Sequence, residues 1–129
     1  PGPGAPSVIR SVVFEALDLD RFRRSIMWVS VDLCVVPLGV GVSLAPYVAA
    51  CQQVIEATGL DFELGPNGTA IEGEWEAVFA CVQACHEAVH HLGAPRIYTT
   101  LKVNTRVDRQ QSFRDKVDSV IASRSVRPA

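Results

Sequence analysis

The chain has no surplus of positive charge. Twelve Lys and Arg stand against 14 Asp and Glu, a formal charge of −2 over 129 residues, with a pI near 5.9. A phosphate backbone needs a basic surface, so the balance argues against nucleic acid as the main partner. The chain also lacks an apolar run long enough to span a bilayer. The longest candidate, from Val35 to Val48, is interrupted by Pro37, Gly39, Gly41, Ser43 and Pro46, so no membrane partner is expected. No secretory signal precedes the cysteines. Cys34, Cys51, Cys81 and Cys85 all fall inside periodic apolar patterns, where a cysteine behaves as a small buried hydrophobe. Reduced thiols in a cytoplasmic protein are the expectation.

What is present is enough for a core. With 48% hydrophobic residues in 129, the chain has the makings of one soluble domain. Residues 1–28 divide from the rest. Pro1 to Ser7 read as an irregular tail, and Val8, Val12, Leu19, Phe22 and Ile26 recur at helical steps up to Met27, predicting an extra amphipathic helix. Arg10, Arg21, Arg23 and Arg24 suggest a transit peptide, against which Glu15, Asp18 and Asp20 weigh.

The domain proper is expected over residues 29–123, with a tail at 124–129. Val29, Val31, Leu33 and Val35 alternate with Ser30, Asp32 and Cys34, a strand with one wet face. Ser43 is placed to cap a helix burying Leu44, Tyr47, Val48, Cys51, Val54 and Ile55, which Gly59 stops. Phe62 and Leu64 make a second strand, Pro66 to Gly68 a turn, and Thr69 to Gly73 a third strand. A helix from Glu74 to about Leu92 carries Val78, Val82, Cys85, Val89 and Leu92 on one stripe, with Gly93 as its stop. Ile97, Thr99, Leu101 and Val103 alternate in a fourth strand, and a polar helix from Ser112 to about Ala122 ends the domain. The order β-α-β-β-α-β is that of the ferredoxin-like α+β sandwich, with two helices on one face of a four-stranded antiparallel sheet. The other face would be open, showing Ser30, Asp32, Cys34, Glu72, Tyr98, Thr100, Lys102 and Asn104. Such a face suits a second copy of the chain.

One motif points toward an enzyme. His86-Glu87-Ala88-Val89-His90 matches H-E-x-x-H on a helix, the arrangement with which zinc proteases hold metal and activate water. The third ligand is missing: no Glu follows Glu87 and no His follows His91. Helix-flank histidines are the plainer account, and no metal ligands and no catalytic residues are expected. Cys81 and Cys85 fit core packing better than soft-metal binding. Gly39-x-Gly41 lacks the third glycine and parallel unit of a dinucleotide fingerprint. Lys102, Arg106 and Arg109 offer either an anion site or a solvated strand end.

The most informative stretch is Asn67-Gly68-Thr69-Ala70-Ile71-Glu72-Gly73-Glu74-Trp75-Glu76. Polar groups there sit at a strand–turn–helix corner where glycines let a ligand approach the backbone. This stretch, Val35-Val36-Pro37-Leu38-Gly39-Val40-Gly41-Val42-Ser43 before it, and Cys85-His86-Glu87 and Lys102-Val103-Asn104-Thr105-Arg106-Val107-Asp108 after it, resemble the small thiamine-binding protein family. The resemblance covers residues 29 to about 121. It implies a ferredoxin-like subunit, assembly into homodimers or homotetramers, and binding of thiamine or its hydroxymethylpyrimidine moiety, with no established catalysis and no cofactor. Asn67 stands where many members carry Met, and Asn104 where many carry an acidic residue.

The chemistry is compatible. Ser43, Asn67 and Thr69 could satisfy an aminopyrimidine edge, Glu72 could pair with the amino group or the cation, and Trp75 or Tyr47 could lie against a thiazolium. Thr69 and Glu72 are three apart on one strand, so both reach one site only through a bulge or through a second subunit. A structural or regulatory oligomer without a small ligand, and a metal-dependent hydrolase using His86 and His90, are the alternatives.

Overall fold

The computed structural model describes residues 27–124. The helix expected between Val8 and Met27 lies outside them but for its last residue, as do both chain ends. The described chain runs β1 (Trp28–Leu38), α1 (Ala45–Thr58), β2 (Asp61–Leu64), β3 (Thr69–Glu74), α2 (Trp75–His91), β4 (Arg96–Thr105) and α3 (Phe113–Arg124). The four strands form one sheet in the order β2-β3-β1-β4, with every pairing antiparallel. This is the ferredoxin-like α+β topology that the strand and helix periods predict.

Strand parity decides what each residue sees. Val29, Val31 and Leu33 of β1 stand beside Gly73, Ile71 and Thr69 of β3, and this face is covered by α1 and α2. Val29, Val31, Leu33 and Ile71 form a single buried cluster with Cys51, Ile55, Val78, Cys81, Cys85, Val89 and Ala94. Two of its cysteines come from α2 and one from α1. Contact with Cys51 and Cys81, then burial, pushes the Cys85 thiol up, which keeps it a neutral core group. All four described cysteines are free.

β1 is longer than its alternation suggested, because it continues through Pro37. A proline cannot donate to a ladder. Here β3 pairs with β1 only as far as Leu33, so beyond that point β1 has a single neighbour, β4, and a missing N–H on the free side costs no sheet bond. Both long helices end where glycines adopt left-handed backbone, Gly59 at φ 74° and Gly93 at φ 102°. One local expectation fails. Ser43 does not cap α1: the cap position is Leu44, with no side-chain bond to the helix, and Pro46 occupies the first turn instead. Proline needs no partner for a first-turn N–H and brings helical φ with it, so the entry is set without a hydroxyl.

Gly73 marks the tightest approach between sheet and helix layer. A Cβ built there would lie 2.6 Å from Leu60 Cδ2 and 3.5 Å from Val78 Cγ2. Gly73→Val is therefore expected to overpack the layer and destabilise the fold by about 1–3 kcal/mol. Urea denaturation measures it, and an unchanged midpoint would show that the layer yields more easily than its packing indicates.

Candidate functional site

The face of the sheet away from α1 and α2 is not bare. At its Trp28 end, even-numbered residues of β1 and β3 form a row with β4: Ser30 stands opposite Glu72 on one side and Asn104 on the other, and Glu72 opposite Asp61. β4 ends at Thr105, and the chain from Arg106 to Ser112 turns back over this row before starting α3. The return encloses a cleft of about 640 Å³, within the roughly 300–1,000 Å³ typical of small-molecule sites. Trp28, Ser30, Glu72 and Asn104 line it from the sheet, and Arg106, Arg109, Gln110, Gln111, Ser112, Asp115 and Lys116 from the returning chain.

Glu72 is the pivot. Its side chain is only 4% exposed. Ser112 Oγ donates to Glu72 Oε1 at 2.8 Å, and the Phe113 backbone N–H donates to Oε2 at 3.0 Å. The carboxylate thus satisfies an orphan donor at the positive end of α3. Ser112 N–H in turn donates to Asp115 Oδ2 at 3.0 Å, and Arg114 N–H to Ser112 Oγ at 3.1 Å, a capping box of Ser and Asp three residues apart. Phe113 is buried beside this bond, its ring 4.6 Å from the Arg114 guanidinium. Arg114 reaches across to Asp61 and to the Phe62 carbonyl, and the guanidinium beside Asp61 holds that carboxyl below its usual range.

The loop is stiffened by Arg106, whose Nε and Nη2 fork onto Asp108, with Nη2 2.7 Å from Oδ2, and whose Nη1 donates to Gln111 Oε1 at 2.9 Å. That bidentate bond holds the Asp108 carboxyl down at about 2.

The five expected site residues do not gather. Glu72 lines the cleft. Thr69 lies on the opposite face, 5% exposed, where Gln52 Nε2 donates to its hydroxyl at 2.9 Å. β3 runs unbroken from Thr69 to Glu74, so no bulge brings Thr69 and Glu72 to one side. Asn67 and Ser43 are exposed in loops at the far end of the β1–β3 ladder. Trp75 is half-buried and stacks on Phe79 with ring centroids 4.5 Å apart, and it packs against the core.

The aromatic in the cleft is Trp28 instead, 51% exposed. The sequence signal was available: Trp28 shares the parity of Ser30 and Asp32. Ser112-Phe113-Arg114-Asp115 likewise reads as a capping box, although its acceptor Glu72, 40 positions away, does not follow from spacing.

The H-E-x-x-H residues lie elsewhere, on α2. His86 Nε2 is 2.6 Å from Thr99 Oγ1, and His90 Nδ1 donates to the Ala94 carbonyl at 2.8 Å. Among the described residues no cluster of three or more His, Cys, Asp or Glu side chains is placed to hold a metal ion. No described helix is long and apolar enough to cross a membrane.

Fold and cleft define a ferredoxin-like α+β domain with a small-molecule-sized hollow on its open sheet face. The chain belongs to the thiamine-binding protein family, whose model matches residues 31–121. A UPF0045 protein of Synechocystis sp. is 56% identical over 103 residues, which are 79% of this chain and 85% of that protein. The UPF0045 protein ECM15 of Eremothecium gossypii is 41% identical over 91 residues, 70% of this chain and 87% of its own. Among solved structures, the hypothetical protein MJ1052 of Methanocaldococcus jannaschii superposes with a TM-score of 0.69 at 24% identity, covering 74% of this chain and 97% of the other. A Thermotoga maritima protein described as a candidate thiamine biosynthesis or salvage protein has a TM-score of 0.63 at 24% identity, covering 72% and 98%. At that identity both show the fold alone.

Two measurements check this geometry. Glu72→Ala strips the acceptor from the Phe113 N–H, at a cost of about 1–3 kcal/mol for an unsatisfied buried donor. Amide exchange at Phe113 and Arg114 should accelerate while the Ile71 amide stays protected, and unaltered exchange at Phe113 would deny the tether. In a carboxylate titration Asp108 should ionise near 2. Its folded value is depressed, so its favourable contribution is present above the ordinary 3.8 and is lost as pH falls through about 2. Arg106→Ala should return the midpoint to the ordinary range; a midpoint already there in the unaltered chain would refute the forked pair.

Proposed function

We propose that the chain is a non-enzymatic binder of thiamine or its hydroxymethylpyrimidine moiety, that the ligand occupies the Trp28–Glu72–Asn104 cleft, and that the protein works as a cytoplasmic homo-oligomer. One observation carries the reading. In a chain of the thiamine-binding family, a single cleft brings together an exposed indole, a buried carboxylate and several side-chain amides. The thiamine link given for the Thermotoga maritima protein of the same fold supports it.

The chemistry matches piece by piece. A carboxylate offers about four lone-pair positions, and α3 uses one on each oxygen of Glu72, which leaves room for an exocyclic amino group. Ser30, Asn104 and Gln111 supply donors and acceptors for the pyrimidine nitrogens. Trp28 offers a ring face for a thiazolium cation or a stacked heterocycle. Thr69 is assigned a structural role through Gln52. Ser43, Asn67 and Trp75 would touch a ligand only if a neighbouring copy presented them.

Self-association is supported by exposed apolar groups on the open sheet face and on α3. Trp28 is 51%, Tyr98 65%, Val117 57% and Val120 63% exposed, the first two on the open sheet face and the others on α3. The free thiols suit a reducing compartment.

Calorimetry with thiamine should show saturable binding. Glu72→Gln removes a charge-assisted bond and should weaken it by about tenfold or more, and Trp28→Ala by about tenfold. Sedimentation at micromolar concentration should show a dimer or larger. Absence of binding would sink the ligand reading, and a monomer would sink the assembly reading.

A further inference from the structure

The charges around the cleft are unevenly committed. Glu72 is occupied by Ser112 and Phe113, and Asp115 accepts from the Ser112 N–H. Arg106 is neutralised by Asp108 outside the cleft. Two lining cations remain. Neither Arg109 nor Lys116 makes an ion pair or side-chain hydrogen bond among the described residues.

Their placement is not incidental to the cleft. Lys116 is one helical turn beyond Ser112, so it lies on the same face of α3 as the hydroxyl that meets Glu72. It is half-buried there. Arg109 lines the same cleft from the returning loop. On the sheet side Glu72 is the one charged group, and Trp28, Ser30 and Asn104 carry no charge. The cleft therefore has an aromatic floor with one buried carboxylate, and two cations on a rim backed by the first turn of α3.

A free thiamine cation can pair with Glu72 on the floor but brings a further positive charge to a rim that already holds Arg109 and Lys116. A phosphate ester removes that conflict. It brings about 1.5 to 2 negative charges near neutral pH and can accept charge-assisted bonds from both a guanidinium and an ammonium. We propose that the cleft prefers a phosphorylated ligand, an aminopyrimidine compound carrying a phosphomonoester, with the heterocycle against Trp28 and the phosphate between Arg109 and Lys116. This rests on the reading of the cleft as the thiamine site and narrows it to one form of the ligand. Such a ligand is the product or substrate of a phosphoryl-transfer or phosphate-ester-cleaving reaction, so the protein would carry material between steps of that class.

The experiment is parallel calorimetry on the full chain with thiamine and with thiamine monophosphate. The monophosphate should bind tighter by about tenfold or more, an advantage that shrinks as salt is raised. In the Arg109→Gln/Lys116→Gln variant the ratio of the two affinities should fall close to one. In Arg109→Lys/Lys116→Arg, which keeps both charges, most of the ratio should survive. Equal or weaker binding of the monophosphate to the unaltered chain overturns the inference while leaving the thiamine site standing. So does a ratio that persists without both charges. If neither compound binds, the thiamine reading itself fails and this inference goes with it.

Discussion

A buried carboxylate on an open sheet face is the constraint on which the rest turns. Glu72 sits where an antiparallel sheet would ordinarily meet water, and burial of an unpartnered charge there would be costly. The start of α3 supplies the partners, one hydroxyl and one backbone N–H, and so the chain after β4 must fold back across the sheet. The cleft is the space left by that return. Glu72 supplies the polar tie and Phe113 the apolar one, and without that docking the residues from Arg106 to Lys116 would enclose nothing.

The two faces of the sheet follow different rules as a result. The covered face is conventional, with period-2 strands, two amphipathic helices and a compact cluster of aliphatic residues and cysteines. The other carries the polar row Asp61, Glu72, Ser30 and Asn104. Arg114 ties α3 to the sheet edge through Asp61, yet this pair is half-exposed and contributes little. The buried Glu72 bonds and Phe113 hold the helix. The remainder of α3 presents Val117, Val120 and Ile121 to solvent, an arrangement suited to the second copy proposed above.

The architecture was legible because periodicity survives in every strand and helix of the domain. Even β1, with its proline, was displaced only at its end, since the sheet topology that makes Pro37 harmless is invisible to local pattern. The site was legible only in part. Glu72 stood out as a polar group at a strand–turn–helix corner. Thr69 stood out for the same reason, but its hydroxyl answers to Gln52 on the other face. Trp75 drew notice beside the motif, whereas Trp28 at the domain edge is the aromatic that faces the cleft. Ser43 was read as a cap, and Pro46 performs that role. Apart from the helix cap, which Pro46 sets locally, these differences come from contacts distant in sequence. Spacing could give the parity of Thr69 and Glu72, but not the chain return that turns one of them into the floor of a cleft.

The central claim is that thiamine-type ligands bind on the open face beside Glu72. Mapping amide and indole shifts by NMR during a thiamine titration tests it most directly. The account predicts that perturbations concentrate at the Trp28 indole, Ser30, Asn104, Gln111 and Phe113. Shifts confined to Ser43, Asn67 and Thr69, at the far end and opposite face, would contradict it.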